Sequence, residues 1–105
     1  MEVNSRKRGV VAVRHDEQES RFTLDTDDGL AVLGYVEAGE GTLDFHHTLV
    51  PEAARGRGVG GELVSGALEH ARARGLKVIP SCPFVRDWLS KHDDQQDVVA
   101  PGTAR

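Results

Sequence analysis

Alternation of apolar and polar residues dominates the first half of the chain, and a helical period dominates the second. Val10, Val11 and Val13 form a short β-rich run. Residues 14–19 are wholly polar and predict a turn. Residues 21–26 alternate, with Phe22 and Leu24 on one face, so they predict a strand. Asp27-Asp28-Gly29 is a hairpin signal, because a glycine in a tight turn accepts the positive φ that other residues resist. Residues 30–37 continue as a strand with Ala31, Leu33 and Tyr35 on one side. Ala38-Gly39-Glu40-Gly41 is the next turn, and residues 42–50 form a long strand stopped by Pro51.

The period then changes. Val59, Leu63, Ala67 and Ala71, with Val64 and Leu68, recur at helical spacing, while Glu62, Ser65, Glu69 and Arg72 fill the other side. Gly75 predicts the helix stop, after Arg72 and Arg74 in the last turn. Residues 76–79 predict a short apolar strand. Residues 84–91 predict a short helix carrying Val85, Trp88 and Leu89, and a last strand is expected at Val98 and Val99.

The predicted order is ββββ-α-β-α. It describes a small α/β (α+β) fold: an antiparallel meander, a β-α-β crossover and a C-terminal helix. The crossover over residues 42–79 should be right-handed, with its two strands parallel. Residues 1–8 read as a flexible tail, 9–99 as one domain and 100–105 as a disordered tail. A chain of 105 residues has room for one domain and a modest core.

Charge narrows the function. With 13 basic and 17 acidic residues the net charge is −4, which argues against nucleic-acid binding. One cysteine, Cys82, excludes an intramolecular disulfide and fits a reducing compartment. Polar first residues and the lack of a long apolar run predict a cytoplasmic protein with neither leader nor membrane span. Arg6-Lys7-Arg8 reads as solvated tail, and Arg55, Arg57, Arg72 and Arg74 are expected in or near one anion site.

That site is Arg55-Gly56-Arg57-Gly58-Val59-Gly60-Gly61, between a strand and a helix. Glycines let a backbone approach a ligand, and a helix start offers unpaired N–H groups and a positive dipole end. Phosphate or pyrophosphate is the ligand this chemistry suits. Gly56, Gly58 and Gly61 satisfy the dinucleotide pattern G-x-G-x-x-G, but the following strand lacks the acidic residue that would hold a ribose. A Walker loop is excluded, because no Gly-Lys-Ser/Thr follows. A glycine-rich turn without any ligand is the bland alternative. It is disfavoured because each glycine weakens a helix start by roughly 1 kcal/mol.

Arg55, Gly58 and Gly60 form an Arg-x-x-Gly-x-Gly pattern that resembles the pyrophosphate signature of the Gcn5-related N-acetyltransferases. His47-Thr48-Leu49-Val50-Pro51 before it and Pro80-Ser81-Cys82-Pro83 after it resemble the compact YjdJ-type acetyltransferase-like branch, in order and spacing over residues 22–89. The resemblance implies an acetyl-CoA-dependent enzyme acting on an amine. It implies that residues 55–61 wrap the CoA pyrophosphate, that Leu49 and Val50 pair with the pantetheine arm, and that Cys82 lies near the thioester. Larger relatives carry two helices between their first strands, which help form the acceptor groove. Here only residues 14–19 lie there, so an open groove suited to a bulky acceptor such as a protein amine is expected, and small amines are expected to be poor substrates.

Acetyl transfer needs a base for the amine and a proton for the departing thiolate. His47 is the favoured base. His46, its neighbour, is expected on the opposite face of the strand, as simple alternation requires. Adjacent histidines cannot chelate one ion, and no Cys/His spacing supports zinc, so no metal is expected. Cys82 is open to three readings: nucleophile, proton donor to the CoA sulfur, or buried apolar filler. Tyr35 and Trp88 read as core. Phe84 reads as core or as a wall against pantetheine. Arg86 and Lys91 read as solvated surface before any contact with the adenosine 3′-phosphate. Two other functions remain beside the transferase: a CoA-binding module without transfer activity, and a binder of nucleotide phosphates. A monomer or weak dimer is expected.

Overall fold

The computed structural model describes residues 13–101. Five strands form one sheet in sequence order: β1 Arg14–Asp16, β2 Arg21–Thr26, β3 Gly29–Glu37, β4 Thr42–Leu49 and β5 Lys77–Pro80. The first four are antiparallel neighbours, and β5 runs parallel to β4. Helix α1, Val59–Ala73, is the crossover between them, and α2, Pro83–Ser90, follows β5. This is the expected meander and β-α-β unit.

Local chemistry accounts for the turns. In the β2–β3 hairpin Gly29 takes φ +126°. Thr26 Oγ1 accepts from the Asp28 amide at 3.0 Å and donates to the Gly29 carbonyl at 2.7 Å. At the end of α1, Gly75 adopts φ +71°, the Leu76 amide donates to the Ala71 carbonyl, and the Gly75 amide donates to Arg72. That pair of bonds is a Schellman stop, which satisfies carbonyls the helix would otherwise leave open.

One sheet face supplies the core. Phe22, Leu24, Ala31, Leu33 and Phe45 pack against Leu63, Val64, Ala67, Leu68 and Ala71 of α1, all buried. Each large apolar side chain in this layer contributes about 1.5–3 kcal/mol by burial. The other face is open over β3, where Leu30 and Val36 are 40% and 51% exposed.

Three expectations change. Residues 14–16 are strand, not turn: β1 pairs with β2 along the sheet edge and lays His15 against Phe22, rings 4.7 Å apart. The C-terminal segment is a 3-10 helix, Asp93–Val98, and contributes a single parallel bridge, Val78 to Val99, rather than a strand. Arg72 lies at the far end of α1 from the glycine turn, about 20 Å away at 1.5 Å per residue. It is bound instead by Asp97, at 2.9 and 3.0 Å, and by Gln95 at 2.8 Å. Arg74 caps the same helix end. Val10, Val11 and the Arg6-Lys7-Arg8 cluster lie outside the described residues.

A histidine pair sits where β1 meets the end of α1. His15 Nε2 and the Tyr35 hydroxyl share a 2.6 Å hydrogen bond, and the His15 and His70 rings are 4.3 Å apart. His70 Nε2 is buried and has no hydrogen-bond partner among the described residues. Burial first, then the charges of His15 and Arg74, push the His70 pKa below its ordinary value, against a smaller upward pull from Glu17. The unfolded chain therefore takes up a proton near pH 6.5 that the folded chain refuses. Stability is full above that pH and falls as pH drops from it towards the folded pKa. The unfolding midpoint in urea should be lower at about pH 5.5 than at about pH 7.5, and His70→Phe should flatten that dependence. An unchanged slope in His70→Phe would assign the pH dependence to other groups.

Candidate functional site

Proline ends β4 and sets up the turn. Pro51 accepts from the Ala54 amide and opens a short 3-10 helix, Glu52–Ala54. Arg55 then folds back, its Nε donating to the Val50 carbonyl at 3.0 Å. Gly56 and Gly58 both take left-handed backbone, φ +83° and +82°, and an added Cβ at either would meet nothing within 4 Å. The first α1 bond runs from the Glu62 amide to the Gly58 carbonyl. The amides of Val59, Gly60 and Gly61 precede it, so they have no acceptor within the helix. They form the positive end of the helix dipole.

The glycines of this turn serve two purposes. Gly56 and Gly58 leave open space. Gly60 and Gly61 let α2 approach: an added Cβ on Gly60 would lie 2.5 Å from Phe84 Cζ, and one on Gly61 would lie 3.1 Å from Trp88 Nε1. Phe84, 43% exposed, thereby becomes a wall of the site. The result is a cavity of about 330 Å³ lined by Val50, Arg55, Gly56, Gly58, Val59, Gly60, Gly61 and Phe84. Amide donors, a guanidinium, open glycine backbone and an aromatic wall fit a phosphate-bearing ligand with an apolar arm.

Next to this cavity β4 has a free edge. The β4–β5 pairing ends at Phe45 and Pro80. Beyond it, residues 46–49 of β4 continue without a β5 partner. The Cys82 amide closes the apex by donating to the Phe45 carbonyl at 2.9 Å. Cys82 caps the N-terminus of α2, is 4% exposed, and places Sγ 3.4 Å from Thr48 Oγ1. Thr48 pairs with core-facing Leu33, so this contact lies on the core side of the sheet.

His46 and His47 do not face opposite ways. Phe45 pairs with Tyr35 and His47 pairs with Gly34, which leaves His46 as an extra residue in β4. Such a bulge breaks the alternation. Both imidazoles are exposed, and both lie over Gly34: an added Cβ there would fall 2.6 Å from His47 Cε1 and 3.3 Å from His46 Cε1. Their Nδ1 atoms are 3.1 Å apart. The histidines therefore share the open face of the sheet, while Cys82 and Thr48 lie on the other. Thr48 enters the sequence pattern only as a motif position with no role of its own, and Gly34 enters none. A glycine inside an apolar strand is an ordinary mark of a bulge or a close approach, and Gly34 carried that signal.

The remaining candidates lie outside the cavity. Leu49 is 56% exposed at the open end of β4. Arg57 leans towards Asp28 of the hairpin at 3.9 Å. Arg86 donates to the Pro80 carbonyl, and Lys91 pairs with Asp87. Tyr35 is buried beside His15. A larger cavity of about 580 Å³ lies along α2, lined by Pro80, Pro83, Arg86, Asp87, Leu89, Ser90, Asp93, Gln96 and Val99. It contains no imidazole or thiol, and the carboxylates of Asp87 and Asp93 in its lining oppose an anion, so the smaller cavity is the better chemical candidate. Among the described residues no group of three or more His, Cys, Asp or Glu could hold a metal ion, and no helix is long and apolar enough to cross a membrane.

Comparison with known proteins agrees with this geometry. A family model described as GCN5-related N-acetyl-transferase matches residues 21–98. The chain is 33% identical over 86 residues to Protein NATD1 of Mus musculus, covering 80% of this chain and 78% of that protein. It is 32% identical over 84 residues to Protein NATD1 of Homo sapiens, covering 78% and 74%. The solution structure of a GCN5-like protein from Staphylococcus aureus aligns with a TM-score of 0.69 at 30% identity, over 92% of this chain and 93% of that one.

Proposed function

This chain belongs to the GCN5-related N-acetyltransferases, and we propose that it moves the acetyl group of acetyl-CoA directly onto an amine of a protein chain. The observation that carries the reading is the glycine-turn cavity, with its open backbone at Gly56 and Gly58, lined by Val50 just past the end of β4, whose last residues have no β5 partner. The pyrophosphate sits against the amides of Val59, Gly60 and Gly61 and the guanidinium of Arg55, with Arg57 at the rim. The pantetheine arm runs past Phe84 and pairs with the free edge of β4 at Leu49 and Val50. The thioester reaches the apex beside Cys82.

The reaction is a substitution at the thioester carbonyl. The neutral amine nitrogen forms a bond to the carbonyl carbon, and the carbon–sulfur bond breaks. His47 Nε2 takes the proton that the nitrogen loses. The Cys82 thiol gives its proton to the departing CoA sulfur; Cys82 is then reprotonated, and the proton on His47 released, by exchange with solvent. Burial of Cys82 at 4% exposure argues against a nucleophile, which needs access to the cleft, and leaves proton donor and buried filler, which Cys82→Ala separates: a slower transfer marks the donor and an unchanged rate the filler. The acceptor reading rests on exposed histidines: His46 and His47 line neither of the two cavities described above and stand on the open sheet face that also carries Leu30 and Val36. A side chain on a protein surface can reach such a place more readily than a small amine can be held there. A single thiol in the chain is compatible with the cytoplasm, the proposed location.

Intact mass after incubation with acetyl-CoA and a lysine-containing peptide tests the proposal. The peptide should gain one acetyl group and the protein none. An acetyl group on the protein that Cys82→Ser removes, and that chases onto the peptide, would replace direct transfer with a route through Cys82. Tight binding of acetyl-CoA without product from any amine would leave a CoA-binding module and sink the transferase reading.

A further inference from the structure

The bulge in β4 does more than bring His47 to the open face. It sets a second imidazole against it. The Nδ1 atoms of His46 and His47 are 3.1 Å apart, and the rings are tilted by 40° with centroids 4.9 Å apart. Adjacent residues of a regular strand point to opposite faces and cannot make this contact. The bulge allows it because His46 has no partner opposite it in β3. Gly34 completes the arrangement: any side chain there would meet the Cε1 and Nδ1 atoms of His47, at 2.6 and 3.0 Å from an added Cβ. The Nδ1–Cε1 edge of His47 is therefore turned to the protein, and its Nε2 is the edge left for a substrate.

A hydrogen bond between two Nδ1 atoms needs one donor and one acceptor. The ring that donates holds its proton on Nδ1, so its Nε2 carries the free lone pair. The ring that accepts must hold its proton on Nε2, which then cannot serve as a base. The pair therefore assigns a base and a partner to it by tautomer alone.

We propose that His46 is a positioning residue: its Nδ1 accepts the Nδ1–H of His47, which holds His47 in the tautomer whose bare Nε2 takes the amine proton. The inference rests on the transferase reading for its purpose, but not for its geometry. His47 is assigned as the donor because that choice leaves the lone pair on Nε2 of the ring whose inner edge is held closest to Gly34. His46 moves no proton to or from substrate. Its effect is on the fraction of His47 that is in the right tautomer and orientation.

The test has two arms. The first is the ¹⁵N–¹H long-range spectrum of the histidine rings in the free protein, at a pH where both imidazoles are neutral. It should show His47 protonated at Nδ1 and bare at Nε2, with His46 the reverse. The opposite pair of tautomers would overturn the proposal and make His46 the ring with the free Nε2. Rapid averaging of both rings, as in unstructured histidine, would overturn it as well. This arm needs no acetyl transfer, so its outcome stands apart from the success of the proposed function. The second arm is kinetic. His46→Ala should lower kcat by about tenfold, the worth of one hydrogen bond, with the KM for acetyl-CoA unchanged. His46→Asn, whose side-chain carbonyl accepts the same bond, should recover most of that loss. Equal loss in both variants would show that the imidazole of His46 serves packing and not acceptance of that proton.

Discussion

Gly58→Asp is expected to lower the affinity for acetyl-CoA by about 100-fold or more while the protein stays folded. Gly58 is left-handed, φ +82°, a conformation that aspartate tolerates better than most residues, at a cost of about 1–2 kcal/mol. An added Cβ would project into open space, which is the space the account gives to the pyrophosphate. The new carboxylate would both fill it and repel the ligand. Two unit charges about 4 Å apart at a protein surface interact by about 4 kcal/mol before salt screening, and 100-fold in affinity needs only about 2.7 kcal/mol. Gly75→Asp is the matched control. Gly75 is also left-handed and also faces open space, but at the other end of α1. It should cost comparable stability and leave binding unchanged. Calorimetry that finds Gly58→Asp binding like the unaltered protein would remove the ligand from this cavity.

His47→Ala is expected to lower kcat by roughly 10²–10⁴-fold, the usual range for losing a general base. The KM for acetyl-CoA should stay nearly constant, because His47 lines none of the cofactor cavity. Added imidazole should restore part of the rate, since truncation leaves the open face over Gly34 unfilled. The effect should exceed that of His46→Ala, because a base lost outright costs more than a base less well held. A His47→Ala variant that turns over at the ordinary rate would move the proton to another group.

Much of this architecture was legible because local signals agreed with the global fold. The alternation around Phe22 and Leu24, the Asp27-Asp28-Gly29 turn, Pro51 and Gly75 each mark a boundary that the structure keeps. The glycine turn was legible for the same reason: a flexible segment at a helix start has few uses besides close approach. What stayed hidden depends on contacts distant in sequence. β1 is polar because an edge strand packs on one side only, so Arg14, His15 and Asp16 carry no apolar period. The position of Arg72 follows from Asp97, far along the chain, whereas counting nearby arginines placed it at the anion site. The bulge at His46 inserts one residue, and no period of two or of 3.6 encodes an insertion. That single residue decides whether His46 and His47 are strangers on two faces or partners on one.

The most direct measurement is a titration of the ¹⁵N-labelled protein with CoA, following backbone amides residue by residue. The account predicts the largest shifts at the amides of residues 56–61, with a second group at residues 47–50 along the open edge of β4, and little change at Ser90, Asp93 and Gln96 in the larger cavity. Shifts centred on that larger cavity, with the glycine turn silent, would contradict it.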